Sequence, residues 1–383
     1  MGKRKDSRGR VLKTGELQRK GGGYEYRYND FDGKRRSVYA ASLDELRSRE
    51  VEIQSNLADG INSTEGMITV TELAERYLTL KQGIKPNTMR AYERAITTLK
   101  SDAFGSKKIK DVKRSDAKLW FVKLHNNGMK RNTISNIHTV LRPAFEMAVE
   151  DDAIRKNPFR FSLSELIRND AVERLAMSKE LQAEYLSFIE QYRHLGYVDD
   201  VIILLNTGLR VSELYGLTKA DVDFTTRRIY VRRQLCRKAG DTLYIETPKS
   251  KQGNRCIPMT DDAFDALRRV MSSERPQVER MIDGCSGFIF IARSGRPKIA
   301  VDLENFMRQM LEKYSEQKGA SLPNITPHVL RHTFCTNMAR AGMPPKELQY
   351  VMGHSKVDMT INLYTHTDFE TTERAFLKAA AGV

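Results

Sequence analysis

Cysteine is scarce in this 383-residue chain, and its placement narrows the chemistry. Cys236, Cys256, Cys285 and Cys335 are scattered, with no paired C-x-x-C spacing. They read as reduced thiols of an intracellular protein, with no zinc site and no disulfide framework. No apolar run reaches the length that a transmembrane helix needs. The start, Met1-Gly2-Lys3-Arg4-Lys5, has no apolar signal-peptide core, and Asp6 stands where an acylation motif wants Ser or Thr. There is no G-x-x-x-x-G-K-[ST] phosphate loop, no H-E-x-x-H metal motif, no internal repeat and no low-complexity tract. These absences set aside P-loop, zinc-peptidase, disulfide-stapled and membrane-spanning classes.

What the chain does have is positive charge. Sixty-four Lys and Arg against 49 Asp and Glu give a net +15 and a pI near 9.5, which favours a polyanionic partner. The excess is uneven. Residues 1–36 hold 12 basic against 5 acidic residues, 67–158 hold 18 against 10, and 159–383 hold 32 against 28. Basic binding modules joined to a more neutral catalytic part fit that distribution, and the length allows two or three domains with their own cores.

The first ten or so residues, basic and polar, are expected to be disordered until something negative orders them. Segments 11–19 and 23–29 read as strands, and Gly23-Tyr24-Glu25-Tyr26-Arg27-Tyr28 alternates so that three tyrosines share one face, most of them as core. Asp32-Gly33 is a hairpin turn before a third strand through 35–39, and Ser42 caps a helix to about residue 57. Residues 1–62 thus form a three-stranded sheet with one helix, whose Arg27 and Arg35 are candidate DNA contacts in the manner of β-ribbon readers.

Beyond the polar 60–66 linker, the pattern of 67–155 is purely helical, at roughly 69–81, 86–101, 114–127 and 131–151. Lys107, Lys108, Lys110, Lys113, Arg114, Lys130 and Arg131 gather near helix ends, where they are candidate phosphate clamps. Residues 153–172 read as a connection. From 173 to 383 follow helices near 178–193 and 199–207, strands at 222–234, 242–247 and 254–258 in a small antiparallel sheet, and helices near 261–273, 302–317, 326–341, 344–352, 355–364 and 370–379.

The chemistry concentrates in this last part. In Thr326-Pro327-His328-Val329-Leu330-Arg331-His332, Thr326 suits a helix N-cap and Pro327 the first helical position, so His328 and Arg331 share the face of a first turn that also attracts anions. Thr207-Gly208-Leu209-Arg210-Val211-Ser212-Glu213 places a second arginine just past an apolar helix. Thr247-Pro248-Lys249-Ser250-Lys251 begins a basic hairpin tip that runs into a strand, and Gly353-His354 precedes Tyr364 by ten residues. Singly, each has a plainer role: Tyr364 as packing, His354 as a helix cap, Arg210 as an ion-pair partner of Glu213. His332 and His366 are given only such roles.

Arginine, lysine, histidine-x-x-arginine, glycine-histidine and tyrosine in that order resemble the active site of the tyrosine recombinases, the phage integrase family. The likeness covers the whole chain more loosely, the N-terminal module being similar to arm-binding domains of phage and conjugative-transposon integrases. It implies a multidomain α+β protein: arm-binding domain, four-helix core-binding domain and mainly α catalytic domain of the DNA breaking-rejoining fold. It also implies a site-specific recombinase that makes a 3′-phosphotyrosyl link through Tyr364, works as a tetramer through a Holliday junction, and binds double-stranded DNA at core and arm sites of an element's ends. Accessory excision or DNA-bending proteins, a C-terminal tail docking on a neighbouring protomer, and a bacterial cytoplasmic setting at the nucleoid belong to the same picture. No metal or high-energy cofactor is expected, because Arg210 and Arg331 supply positive charge to the phosphate. Lys249 is the general acid with Lys251 its rival, His328 assists proton transfer, His354 bonds the phosphate, and Glu213 orients Arg210 or His328. Ten residues from His354 to Tyr364 is one more than in some family members. Two alternatives stay open: a type IB topoisomerase, and a non-catalytic DNA-binding regulator on the same scaffold.

Overall fold

The computed structural model describes residues 4–30, 33–58, 65–168, 176–238, 242–247, 253–273 and 281–354, with Glu373, Phe376, Leu377 and Ala380. The chain divides into two compact units, Met1–Val172 and Glu173–Val383. The fold is mixed α+β with small antiparallel sheets. Among the described residues, no helix is long and apolar enough to cross a membrane.

In the first unit, β1 (Glu16–Gln18), β2 (Tyr24–Asn29) and β3 (Arg35–Ala40) form an antiparallel sheet in sequence order, covered by α1 (Leu43–Ala58). Leu43 and Leu46 pack on Tyr24 and Tyr26, while Tyr28 is half-buried and stacks on Tyr26 at 5.8 Å. The opposite face pairs Arg27 with Ser37 and Asn29 with Arg35, so both candidate arginines lie away from that core. Arg27 is also tied to Glu25 at 2.7 Å. The first strand is shorter than the expected 11–19, and the described residues before it form a hydrogen-bonded turn. Lys5 pairs with Val11, and the Asp6 carboxylate accepts bonds from the backbone N–H groups of Arg8 and Arg10 and from the Tyr24 hydroxyl. The described part of this basic segment is thus bonded to a carboxylate of its own.

Four helices follow: α2 (Val70–Thr79), α3 (Pro86–Lys100), α4 (Arg114–Asn126) and α5 (Arg131–Glu150). Thr69 and Glu72 cap α2 reciprocally, and Pro86 opens α3 where its missing N–H costs nothing. Leu73, Leu99, Phe121, Ile134, Leu141 and Phe145 make the core. The segment 153–168, expected as a connection, belongs to this core instead. Ala153, Ile154, Phe159, Phe161, Leu163 and Ile167 are all buried in it, Phe159 against Phe145 at 4.9 Å. Lys107, Lys108, Lys110, Lys113, Arg114 and Lys130 are exposed and Arg131 is half-buried, the last four at the starts of α4 and α5. Lys107 is engaged internally, 3.0 Å from Asp116.

The second unit contains α6 (Lys179–Glu190), α7 (Val198–Thr207), α8 (Val211–Tyr215), β4 (Val222–Asp223), β5 (Arg228–Val231), β6 (Gln234–Arg237), β7 (Leu243–Glu246) and β8 (Arg255–Pro258). These are followed by α9 (Asp261–Ser272), α10 (Ala300–Lys318), α11 (Pro327–Arg340) and α12 (Pro345–Met352). The expected strand over 222–234 is broken. Asp223 accepts the N–H groups of Thr225 and Thr226, which tightens a turn completed by Arg227 at φ 56°. That turn returns the chain as β5 in the same sheet, and a second break at Arg232-Arg233 separates β4-β5-β8 from β6-β7, so two sheets stand in place of one. The apolar α7 packs between α9 and α11. Its buried Asp200 is held by Lys298 at 2.7 Å and by the Tyr215 hydroxyl at 2.9 Å, which ties α7 to α8 and to the chain before α10. The helix expected over 355–364 lies outside the described residues, as does most of 370–379, of which Phe376 and Leu377 are exposed.

Because Phe159 fills the first unit's core, Phe159→Ala is expected to destabilise that unit by about 3–5 kcal/mol in urea unfolding of the full chain. A cost below about 1 kcal/mol would return 153–168 to the status of a linker.

Candidate active site

Three chain turns meet around one carboxylate. Helix α7 ends at Gly208, whose φ of 62° favours glycine and whose absent Cβ would stand 2.3 Å from the Phe334 ring. The chain then reverses through buried Leu209, and Arg210 caps α8, its backbone N–H donating to Glu213 Oε2 at 2.8 Å. Arg210 Nη1 also donates to Glu213 Oε1 at 2.7 Å, and its Nη2 reaches the Gly353 carbonyl at 3.4 Å. Arg210 is half-buried, whereas Glu213 is fully buried.

Helix α11 supplies the second arginine. Thr326 accepts the Val329 N–H and Pro327 fills the first position, as their residue types predict. Arg331 and His328 rise from the same turn, Arg331 buried and His328 exposed. Arg331 Nη1 donates to the Gly208 carbonyl at 2.6 Å, Nη2 donates to the Met352 carbonyl, and Nη1 lies 3.8 Å from Glu213 Oε2. The fork expected to serve the phosphate is thus partly committed to two carbonyls that end helices, where the backbone's negative dipole lies.

The third turn is Gly353-His354, where α12 ends with Gly353 at φ 61°. His354 is buried, its N–H bonded to the Gln349 carbonyl. Arg255, at the start of β8, closes the cluster and was absent from the sequence-based site. Its Nη1 and Nη2 reach Glu213 Oε1 and Oε2 at 3.1 and 2.8 Å, and its Nε donates to the Val351 carbonyl at 2.6 Å. Strand alternation carried a signal for it, since Arg255 and the buried Ile257 point to the same side. Glu213 therefore serves Arg210, Arg255 and Arg331, and its carboxylate orients arginines. Lys249, Lys251 and Tyr364 lie outside the described residues.

The electrostatics follow from three guanidiniums and one carboxylate. Burial alone would raise the Glu213 pKa, but hydrogen bonds and attraction from Arg255, helped by Arg210 and Arg331, hold it down to about 2. Burial, then repulsion from Arg210 and Arg255, lowers Arg331 to about 9 against the pull of Glu213. Burial followed by Arg331, Arg210 and Arg255 lowers His354 to about 4, so its ring is neutral at pH 7. The pocket keeps an excess of positive charge that suits an anion with several acceptor oxygens. Among the described residues, no group of three or more His, Cys, Asp or Glu is arranged to hold a metal ion.

This mainly helical unit with small sheets gathers three arginines and a histidine around one carboxylate. The chain belongs to the phage integrase family, the tyrosine recombinases, and is a site-specific recombinase. The model described as "Phage integrase family" matches residues 165–371, "DNA binding domain of tn916 integrase" matches 1–57, and "Phage integrase, N-terminal SAM-like domain" matches 75–151. The chain is 39% identical to the transposase from transposon Tn916 of Enterococcus faecalis, over 96% of this chain and 95% of that one. It is also similar to an arginine-to-lysine variant of the Tn1549 transposon integrase solved with a circular intermediate DNA, at TM-score 0.77 and 38% identity, covering 82% of this chain and 99% of that one. A tyrosine-to-phenylalanine variant of the same integrase, solved with transposon right-end DNA, matches at TM-score 0.76 and 39% identity, covering 82% and 100%.

A depressed histidine pKa makes stability depend on pH. With the folded value at about 4 and the ordinary value at 6.5, the unfolded chain binds more protons between them, so stability falls as pH drops from 6.5 towards 4. His354→Asn is expected to flatten that dependence in thermal unfolding. An unchanged slope would mean that His354 titrates normally.

Proposed function

We propose that the Arg210–Glu213–Arg331–His354 pocket grips one phosphate of double-stranded DNA and that Tyr364 attacks its phosphorus. The observation that carries this reading is the convergence of three guanidiniums and a neutral imidazole on one buried carboxylate, which leaves net positive charge at three chain turns. Arg210 and Arg331 stabilise charge on the non-bridging oxygens as it develops. Each Arg331 Nη bonded to a carbonyl carries a second hydrogen, so the phosphate does not have to displace those bonds.

The Tyr364 Oη–P bond forms as the P–O5′ bond breaks, giving a 3′-phosphotyrosyl link and a 5′-hydroxyl. Lys249, or Lys251 in its place, donates the proton that the leaving oxygen takes. His328, exposed at the start of α11, takes or returns the tyrosine proton. His354, neutral and buried, hydrogen-bonds the phosphate. The reverse attack by the 5′-hydroxyl of another strand restores the backbone, so the ester itself stores the bond energy. The relatives support this assignment: the arginine and the tyrosine substituted in the two Tn1549 integrase structures are separated by the same number of residues as Arg210 and Tyr364.

The modules divide the work as 1–62 for arm sites, 67–155 for core sites and 173–383 for catalysis. The outer sheet face with Arg27 and Arg35 meets arm DNA. Lys107, Lys108, Lys110, Lys113, Arg114, Lys130 and Arg131 hold phosphates of the core site. Exchange of strands through a Holliday junction requires a tetramer, coupled by the C-terminal tail and given direction by accessory excision or DNA-bending proteins. The setting is the bacterial cytoplasm, at the nucleoid. Three modules, one of them arm-like, favour this reading over a type IB topoisomerase.

On nicked suicide DNA, Tyr364→Phe is expected to bind the core site as the wild type does and to form no covalent complex. Arg331→Ala is expected to slow formation of that complex by about a hundred- to a thousand-fold. If wild-type protein forms no adduct on an element's own ends, the non-catalytic regulator takes the place of this reading.

A further inference from the structure

Arg255 is the arginine that cannot meet DNA directly. Its side chain is 0% exposed, and its contacts all go inward: both Glu213 oxygens, the Val351 carbonyl at 2.6 Å and the Gly253 carbonyl at 3.3 Å. The approach is close enough that a Cβ on Gly353 would stand 2.9 Å from Arg255 Nη1. One planar side chain therefore links the carboxylate, the end of α12 that bears His354, and the residue that follows the 248–252 segment with its two lysines.

The bonds at Glu213 show why that matters. Oε1 accepts Arg210 Nη1 and Arg255 Nη1, while Oε2 accepts the Arg210 backbone N–H and Arg255 Nη2. With about four lone-pair directions, the carboxylate is filled by these two arginines. Arg331 stays at 3.8 Å, beyond a hydrogen bond. If the Arg255 fork were gone, two acceptor directions would open beside Arg331, the nearest cation not already hydrogen-bonded to Glu213, and a bidentate Arg331–Glu213 pair would be the favoured outcome. That pair would draw Arg331 away from the phosphate and leave the 353–354 turn without its tie at the Val351 carbonyl.

We propose that Arg255 is a positioning residue for strand cleavage: by occupying Glu213 and anchoring the Val351–Gly353 turn, it keeps Arg331 and His354 available to the phosphate. The inference rests on the phosphate-pocket reading and adds to it a residue that acts without touching DNA.

The test uses full-length protein and nicked suicide DNA, with single-turnover formation of the covalent complex measured beside the Kd for the core site. Arg255→Met and Arg255→Lys are both expected to lose cleavage rate by about thirty-fold or more with Kd within about threefold of wild type. Lysine keeps the buried charge and so guards against failure to fold, yet its single nitrogen cannot bridge two carboxylate oxygens and a carbonyl. In a Glu213→Gln background, adding Arg255→Met is expected to cost less than about threefold more, because both substitutions break one unit. Cleavage by Arg255→Lys within about threefold of wild type, a parallel loss of affinity and rate, or multiplicative losses in the double variant would each overturn the inference. Wild-type protein that forms no adduct in the same assay removes the phosphate-pocket reading and this inference together, whereas an adduct with unimpaired Arg255 variants removes this inference alone.

Discussion

A single buried carboxylate, that of Glu213, sets the geometry on which this enzyme depends. Three guanidiniums brought this close repel one another, and burial adds a desolvation penalty to each. The carboxylate offsets part of that cost and, through its two oxygens, decides which arginine points where. In the proposed function the remaining imbalance is what attracts the phosphate. A pocket neutralised within the protein would have no electrostatic reason to take a phosphate, while one with three uncompensated arginines would not hold together. The low Arg331 pKa and the neutral His354 are two consequences of the same crowding.

The fold serves this arrangement by bringing helix ends to it. Gly208 and Gly353 each end a helix in the left-handed region, and the Gly208, Met352 and Val351 carbonyls that accept from Arg331 and Arg255 belong to the last turns of α7 and α12. The core beneath them, α7 between α9 and α11, fixes the separation of these ends. Most of the excess positive charge lies outside this unit, in 1–36 and 67–158. In the proposed function, long-range attraction of DNA and local chemistry on one phosphate fall to different parts of the chain.

Much of this was legible from residue types. Pro86, Thr69, Thr326 and Pro327 mark helix starts because their chemistry suits those positions, and the alternation of 24–28 places Tyr24 and Tyr26 in the core as read. The losses have physical causes. The turn inside 222–234 comes from bonds accepted by the Asp223 side chain, and the gap before β6 sits at two arginines paired with buried Asp221; strand periodicity registers neither. Asn157-Pro158 looks like a linker, yet Phe159, Phe161 and Leu163 are buried at alternate positions, and Ile167 after them, in a segment that forms no strand. In the site, Arg210, Arg331, His354 and Glu213 come together, and His328 is exposed on the same first turn as Arg331. Arg255 escaped notice because an arginine in a short strand reads as solvent-facing until the phase shared with Ile257 is followed.

The central claim is that the pocket presents a DNA phosphorus to Tyr364. The most direct measurement is to trap wild-type protein on nicked DNA from an element's own ends, digest the complex and locate the nucleotide remnant by mass spectrometry. The account predicts a 3′-phosphate ester on the Tyr364 oxygen. A remnant on any other residue would contradict it.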